Sequence, residues 1–525
     1  MMVAVAAVAV AVAAALASTP RATVFILMDD LGYNELGFQN SSRGLITPHL
    51  DSLASHGVRL TSYYTHPLCS PTRGALMTGR YNHRLGLQSN VVFWDTPWGV
   101  SLDETFLPQA LKKIPGFGKT EMYGKWHLGM HSPAFWPTNR GFDRFTGYLQ
   151  GCGSQDTHIS SCCKAPANAS DFATYVCPPS IEAPAKDYRG LDWWHGETDA
   201  STGAQGVSSS ELIAARAEAA IKLHGADPRR APFFLYLPFQ NIHAPYDAKW
   251  VNVRRFERRG LSLEQQTMFA YIFELDEAVG RVLTALKAAV GDDVLVVAAS
   301  DNGAPNAPNV EARNYPLRGH KSETWEGGSR VPAVVYAPGR LPAGAVVDSI
   351  VHVVDWFPTL VTLHGGTPPA GLDGVNVWGT LQGGAPARKE ALINVNHLCS
   401  AGQFGHPKAA VRVGDLKLLC FCFSAAGIAG ANTTRCVGDP SAPGAWPQLY
   451  NVSADPSESN NLARERPDAV FALERRMAEL SSGPGTAEPM QWVAPYQGPE
   501  YYCADCPLRN ATGPNAPWTH WLPDP

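Results

Sequence analysis

An α/β fold, a large mixed and mostly parallel sheet flanked by helices, follows from three features of the sequence. First, three short apolar runs read as strands: Thr23–Met28 (TVFILM), Phe233–Phe239 and Val294–Ala299 (VLVVAA). They lack polar alternation, which is the pattern of strands covered on both faces. Second, helical segments lie between them. Third, each run ends in polar residues: Asp29-Asp30, then Asn241 and His243, then Ser300-Asp301-Asn302-Gly303. Open α/β sheets bind ligands at the carboxyl ends of their strands, so three strands are expected to deliver polar groups to one edge.

The clearest helix is Ser262–Gly291. Its apolar residues Phe269, Ile272, Leu275, Val279, Val282, Leu286 and Val290 recur at spacings of three and four. Ser262 with Gln265 makes a capping box, and Gly291 is a stop. Ser210–Leu223 is a weaker helix. The Pro- and Gly-rich stretch Gly365–Gly384 reads as a connector. Beyond about Asn396 the elements shorten: Ala410–Val413, a Gly414-Asp415 turn and Leu416–Leu419 predict a hairpin, and Val470–Leu480 a helix. This is a small C-terminal α+β subdomain with an antiparallel sheet. The expected division is 1–17, 18–395 and 396–525, with a Pro- and aromatic-rich tail from Ser481 held by Cys503 and Cys506.

Composition narrows the function. The 525 residues are 45% apolar, with 48 Gly and 42 Pro. That Gly and Pro content is below the ~25–30% of low-complexity chains. The net charge of −5 offers no basic excess for nucleic acid as the main partner. Val3–Ala17 is an unbroken Ala, Val and Leu run. It is shorter than the ~20 residues of a membrane span and is followed by a small-x-small cleavage pattern, Ala15-Leu16-Ala17. It reads as an export signal, although no Lys or Arg precedes it. No later run reaches spanning length, so no membrane span is expected after cleavage. Eleven cysteines fit an oxidising compartment, and the odd number points to one special thiol. Cys503-x-x-Cys506 with Cys420-x-Cys422 lacks His at zinc-site spacing, so disulfides are the expectation. Sequons at Asn40, Asn168, Asn432, Asn451 and Asn510 fit a secreted glycoprotein.

The most specific segment is Cys69-Ser70-Pro71-Thr72-Arg73-Gly74, followed by Met77-Thr78-Gly79-Arg80. Taken alone, it is a thiol activated by a neighbouring Arg or a buried structural Cys. The string CSPTRGALMTGR resembles the signature of the formylglycine-dependent (type I) sulfatases. Tyr123–Gly129 (YGKWHLG), Ser300–Gly303, Pro316–Lys321 with Trp325–Gly328, Asp355–Leu360, and Leu449–Asn451 with Asp455-Pro456 resemble further landmarks of that family. Gly79–Tyr148 and Gly371–Gly379 most resemble the arylsulfatase B-like (N-acetylgalactosamine-4-sulfatase) branch. Phe93–Val100 lacks cysteines of that branch and Ala304–Arg313 is longer, and both bear on the sugar recognised.

The resemblance implies an alkaline-phosphatase-like fold and a sulfuric ester hydrolase acting on aryl sulfates or sulfated sugars such as glycosaminoglycan. Two alternatives stand beside it: a phosphomonoester or phosphonate hydrolase of the same superfamily, and a non-catalytic glycoprotein that binds sulfated glycan. The resemblance also implies that Cys69 is oxidised to formylglycine by a formylglycine-generating enzyme during export, which leaves ten cysteines to pair. The location is the secretory pathway, ending outside the cell or in the lysosome.

Read as chemistry, Asp29, Asp30, Asp301 and Asn302 are hard oxygen ligands from two strand ends, suited to Ca²⁺ or Mg²⁺. The resemblance places a divalent metal there, usually Ca²⁺, with residue 69 as a further ligand. A sulfate ester repels nucleophiles, so cationic groups must gather at sulfur. Arg73, Lys125, His127, His243 and Lys321 are the candidates, and Lys125 and His127 share a face if the backbone is extended. The resemblance implies that the hydrated aldehyde attacks sulfur after losing a proton to Asp301. Lys321 and His243 hold sulfate oxygens or protonate the leaving oxygen. A second hydroxyl, with His127 as base, then expels sulfate by C–O cleavage. Arg73 orients the formylglycine oxygen, and Lys125 binds substrate.

Overall fold

The computed structural model describes residues 19–39, 44–93, 98–161, 189–306, 313–395, 408–424, 435–437 and 447–482. Ten strands form one sheet: β1 (Ala22–Met28), β2 (Val58–Leu60), β3 (Thr120–Lys125), β4 (Arg144–Tyr148), β5 (Trp194–His195), β6 (Thr198–Asp199), β7 (Phe233–Pro238), β8 (Val294–Ser300), β9 (Ala333–Tyr336) and β10 (Ala345–Val347). Their order is β10-β2-β9-β8-β1-β7-β3-β4-β5-β6. The central neighbours β8, β1, β7, β3 and β4 are all parallel, whereas β9 and β5 pair antiparallel towards the edges. The three runs predicted as strands are thus the adjacent middle of the sheet.

Their lack of polar alternation has the expected cause. Phe25, Leu27, Phe234, Tyr236, Leu295 and Val297 point into one core. Val24, Ile26, Leu235, Leu237 and Val296 point into another on the opposite face. Helices α1 (Pro48–His56), α2 (Cys69–Thr78), α3 (Ser209–Gly225), α4 (Leu263–Val290) and α5 (Trp356–Leu363) cover these faces, with α2 and α5 on the first and α1, α3 and α4 on the second. The capping box of α4 forms as read: Gln265 N–H donates to Ser262 Oγ at 3.3 Å, and Ser262 N–H to Gln265 Oε1 at 3.0 Å. The buried Asp276, midway along α4, accepts from the N–H groups of His49 and Leu50 at 3.0 and 2.8 Å. It supplies the cap that α1, which starts with a proline, lacks.

A second sheet holds β11 (Glu390–Asn394), β12 (Ala409–Val413), β13 (Leu416–Cys420) and β14 (Gln448–Asn451), antiparallel in that order. The β12–β13 hairpin is the predicted one. β11 joins from ahead of it, and the helix α6 (Pro467–Ser481) packs Leu473 and Met477 into the first core. Gly365–Gly384 is not connector alone, since it contains a helical turn, Trp378–Leu381. Cys436 forms a disulfide with Cys420, and Cys69 forms none. Asn451 is the described sequon. The export signal, the other sequons, Cys162, Cys163, Cys177, Cys399, Cys503, Cys506 and the tail lie outside the described residues.

The second sheet is joined to the first through charge as well as apolar packing. Lys417 on β13 is fully buried between Glu326 (2.9 Å) and Glu458 (3.0 Å). Tyr64 donates to Glu326 at 2.7 Å, and Arg412 to Tyr64 at 2.6 Å. Lys417→Met should destabilise the protein by about 3–5 kcal/mol in denaturant titration, because two buried carboxylates lose their shared cation. The penalty should be larger at pH 8 than at pH 5. Burial and Glu326 push Glu458 up to about 7 from its ordinary 4.5, so the folded state prefers the proton. The destabilisation is absent below the unfolded value and grows as pH rises through the folded one.

Candidate active site

Four adjacent strands end at one edge and bring their polar residues together. Asp29 and Asp30 follow β1, His243 follows β7, Asp301 and Asn302 follow β8, and Lys125 ends β3 with His127 just beyond. Cys69 is the first residue of α2, whose ten residues are all buried. The helix stops at Gly79, left-handed at φ 69°, where a Cβ would stand 2.9 Å from the Phe357 side chain of α5. That close approach explains the glycine in the downstream half of the motif.

The charges are dry and matched. Arg73 donates to Asp301 Oδ2 from Nε (3.2 Å) and Nη2 (2.7 Å), and Nη2 lies 3.5 Å from Asp29 Oδ1. Lys125 Nζ donates to Asp29 Oδ2 at 2.6 Å. Lys321 Nζ reaches both oxygens of Asp30, at 2.7 and 2.9 Å. Three carboxylates therefore face three cations, and a divalent ion would make the pocket positive towards an anionic ester. Asp29, Asp30, Cys69 and His243 present ligand atoms within 4.8 Å of one another. Cys69 Sγ lies 3.7 Å from Asp29 Oδ1. Burial pushes this thiol up to about 12 despite Lys125 and Lys321. The alternative of a cation-activated thiolate is therefore unsupported: as a plain thiol, residue 69 stays protonated at neutral pH.

Both histidines are held neutral. Burial and then Lys321 bring His243 down to about 3, and its Nδ1 hydrogen-bonds the Ala244 carbonyl at 2.6 Å, so Nδ1 carries the proton. The bare Nε2 faces Asp30 Oδ2 at 3.7 Å. Burial and then the charges of Lys125, Arg73, His243 and Lys321 push His127 well below its ordinary value. Burial and Asp29 raise Asp301 to about 6 against the pull of Arg73. The extended backbone expected from Lys125 to His127 is not found. His127 is left-handed at φ 61°, as is Asp30 at φ 62°, a sparsely populated conformation that concentrates at functional sites. The His127 N–H still bonds Leu149 O at 3.1 Å, and its ring lies against Gly151, where a Cβ would come within 2.5 Å.

All ten residues named from the sequence reach this edge, with some in different company. His243, expected at the substrate, lies among the groups that could ligate a metal. Arg73, expected to orient a formylglycine oxygen, binds Asp301 and Asp29 beside the unmodified Cys69. Two supports escaped the sequence. Arg313 pairs with buried Glu35 (2.7 Å) and donates to the Asp30 carbonyl (3.1 Å). Gln155, fully buried, accepts through Oε1 from the hydroxyls of Ser208 (2.7 Å), Ser209 (3.0 Å) and Ser210 (2.9 Å). The Ser209 and Ser210 hydroxyls share those same protons with Gln240 Oε1 (3.2 Å) and Asn241 Oδ1 (2.9 Å), which staples the turn bearing His243 to the start of α3. The serine triplet at a helix start was the available signal, but it also reads as an ordinary cap.

Comparison with known proteins bears on this site. The sulfatase family profile matches residues 21–366. Arylsulfatase J of Mus musculus is 32% identical over 497 residues, 89% of this chain and 76% of that protein. N-acetylgalactosamine-6-sulfatase of Mus musculus is 32% identical over 379 residues, 70% of this chain and 67% of that protein. The crystal structure of Ps i-CgsB in complex with k-i-k-neocarrahexaose superposes with a TM-score of 0.70 at 26% identity, covering 90% of this chain and 94% of that one. These matches support the family and its fold, and they do not single out the arylsulfatase B-like branch.

The family implies a formylglycine and a divalent metal, and the residues present fit both. Cys69 stands beside Asp29 as described. Asn302 donates from Nδ2 to Asp30 Oδ1 (2.8 Å), while its buried Oδ1 has no hydrogen-bond partner. A carbonyl oxygen left unpaired among carboxylates is a ready ligand for a hard cation. A chelator should lower the melting temperature. Ca²⁺ or Mg²⁺ at about 100 times its Kd should restore about 2.7 kcal/mol, and Asn302→Ala should shift the restoring titration to higher ion concentration. Ser210→Ala should lower kcat several-fold, with at most about 1–3 kcal/mol of stability lost, in steady-state kinetics paired with thermal unfolding.

Proposed function

The chain belongs to the sulfatase family and is a sulfuric ester hydrolase, and from that premise we propose which residues carry the reaction and which esters enter. The observation that carries this reading is the placement of residue 69, buried at the start of α2 and 3.7 Å from Asp29, inside a pocket of matched charge. Asp29, Asp30, Asn302 and Asp301 would hold a divalent ion, Ca²⁺ with Mg²⁺ as the substitute, together with residue 69 as formylglycine. When bound, the ion and the hydrated aldehyde supply a nucleophilic oxygen at neutral pH, which a thiol held near 12 does not.

The chain's own groups divide the remaining work. Arg73 fixes the carboxylates of Asp301 and Asp29 and keeps Asp301 aligned to take the proton of the attacking hydroxyl. Lys125 and Lys321 each sit on an aspartate, and both turn towards the sulfate oxygens when it enters. His243 has Nδ1 committed to Ala244, and its Nε2 serves the leaving oxygen as a donor only after taking up a proton. His127, neutral and close packed on Gly151, is the base for the release step. The substrate class is a sulfated sugar: N-acetylgalactosamine sulfate in glycosaminoglycan, by analogy through the likeness of Gly79–Tyr148 to the arylsulfatase B-like branch, and an algal-type or other sulfated polysaccharide stand as equal candidates. Residues 18–395 carry the catalytic part and 396–525 the C-terminal subdomain, to whose sheet the catalytic part lends its last strand, β11. The chain passes through the secretory pathway, where the formylglycine-generating enzyme acts on Cys69 during export, and ends in the lysosome or outside the cell. Among the described residues no helix is long and apolar enough to cross a membrane.

Cys69→Ala should abolish turnover of an aryl sulfate while leaving the unfolding midpoint close to wild type. The peptide containing residue 69 from active protein should carry an aldehyde by mass spectrometry. Substantial activity in the variant, or only thiol or disulfide at position 69 in active enzyme, would overturn the assignment.

A further inference from the structure

We propose that the exposed face of Trp250–Glu257 is a docking strip for a second region of an anionic, sulfated polysaccharide whose scissile ester lies in the pocket. This rests on the sulfate-ester reading of the pocket, but it has a readout of its own.

The strip continues the segment that leaves the carboxyl end of β7. It follows His243 by seven residues, at most about 25 Å of chain. Tyr246, between them, accepts a hydrogen bond from Arg313 Nη1 at 3.3 Å, and Arg313 holds the Asp30 carbonyl. The segment is anchored from beneath. Glu274 on α4 accepts from Lys249 N–H (2.8 Å) and Asn252 Nδ2 (2.7 Å). Val253 and Phe256 are buried, with Phe256 edge-on to Phe269 at 5.8 Å. That anchoring does not use Trp250 or Val251, which remain 56% and 67% exposed. A tryptophan half exposed beside an already anchored turn, with Arg254 near its ring, offers a flat apolar surface to a ligand.

Charge points the same way. Between Lys249 and Arg259 the sequence has five basic residues and one acidic, in a chain with 42 Lys and Arg over 525 residues and a net charge of −5. Lys249 is paired with Glu211 at 2.5 Å. Arg254 and Arg255 are exposed and held by rings and an amide instead of carboxylates. Arg254 stands 5.7 Å from the Trp250 ring centre. Arg255 stands 4.8 Å from that of Phe273, and its Nε donates to Asn252 at 3.2 Å. Two guanidiniums pre-positioned beside a ring suit a ligand that alternates pyranose faces and sulfate groups. A membrane is the weaker occupant, because the segment is one short helical turn followed by a 3₁₀ stretch, without the long apolar face of an interfacial helix.

The test uses full-length matured protein on a dextran sulfate resin eluted with NaCl, with unsulfated dextran and phosphatidylserine vesicles as parallel arms and aryl sulfate turnover measured on each variant. Wild type should bind dextran sulfate and neither control. Trp250→Ala should elute at lower salt. Arg254→Glu with Arg255→Glu should bind at least tenfold more weakly and lower the log–log salt slope by about two, one per removed cation. Both variants should turn over aryl sulfate within twofold of wild type. Unchanged elution of both variants, equal binding to unsulfated dextran, or binding to vesicles alone would overturn the proposal. Loss of aryl sulfate turnover in wild type, with the resin result intact, would overturn the sulfatase reading and leave the strip standing.

Discussion

A guanidinium with no solvent exposure must find its whole environment inside the protein, and Arg73 finds it in Asp301 and Asp29. Everything at this edge of the sheet depends on that exchange. Moving any of these charges alone out of water is unfavourable by several kcal/mol, and attraction in the dry interior offsets the loss only when geometry is good and each ion has its partners. The network meets the condition by drawing members from different elements: α2 supplies Arg73, β3 supplies Lys125, β1 and β8 supply the aspartates, and a loop supplies Lys321. The parallel registers of β8, β1, β7 and β3 bring those elements to a common edge. The folded sheet and the charged pocket are therefore one construction. Without strand alignment the charges could not pair, and without pairing they could not be buried.

The same arrangement explains why residue 69 has to be more than a cysteine. Burial opposes the thiolate more strongly than Lys125 and Lys321 favour it, because those lysines are already engaged by Asp29 and Asp30. A pocket that spends its cations on its own carboxylates cannot also activate a thiol. Such a pocket suits an oxygen nucleophile that brings its own acidity through a hard cation. The unpaired Asn302 oxygen points in the same direction.

The elements legible in sequence were those with strong local signals. The central strands announced themselves by unbroken apolar runs, α4 by its period and its capping box, and the β12–β13 hairpin by Gly414-Asp415. The ten site residues were legible because each sits in a motif or at a strand end. What escaped was set by tertiary structure. Asp276 lies within the periodic pattern of α4, yet it caps another helix. Gln155 and Arg313 lie in loops whose local sequence gives no reason for burial, and their partners come from distant elements. The left-handed backbone of His127 defeated the extended-chain argument because Gly151 gives up a side chain to make room for the ring, a pairing invisible along the chain.

The C-terminal sheet belongs to this site although none of its residues enters the pocket. Lys321 lies on the stretch from Arg318 to Glu326, and that stretch is gripped from the C-terminal side at several points. Arg318 donates to the Glu458 carbonyl at 2.9 Å and stacks on Trp325 at 3.8 Å. Lys408 Nζ donates to the Ser322 carbonyl at 3.1 Å. Glu326 N–H donates to Glu458 at 2.7 Å while Lys417 bridges the two carboxylates. Ser322 itself is left-handed at φ 75°, a conformation that needs neighbours to hold it. The loop also holds itself, through Glu323 N–H to the His320 carbonyl (3.1 Å) and Gly327 N–H to the Arg318 carbonyl (2.7 Å), and Lys321 N–H donates to the Ala304 carbonyl at 3.0 Å. The appended sheet adds its grip to these bonds, so the last quarter of the chain contributes to the position, though not the chemistry, of one of the two lysines proposed to meet the sulfate.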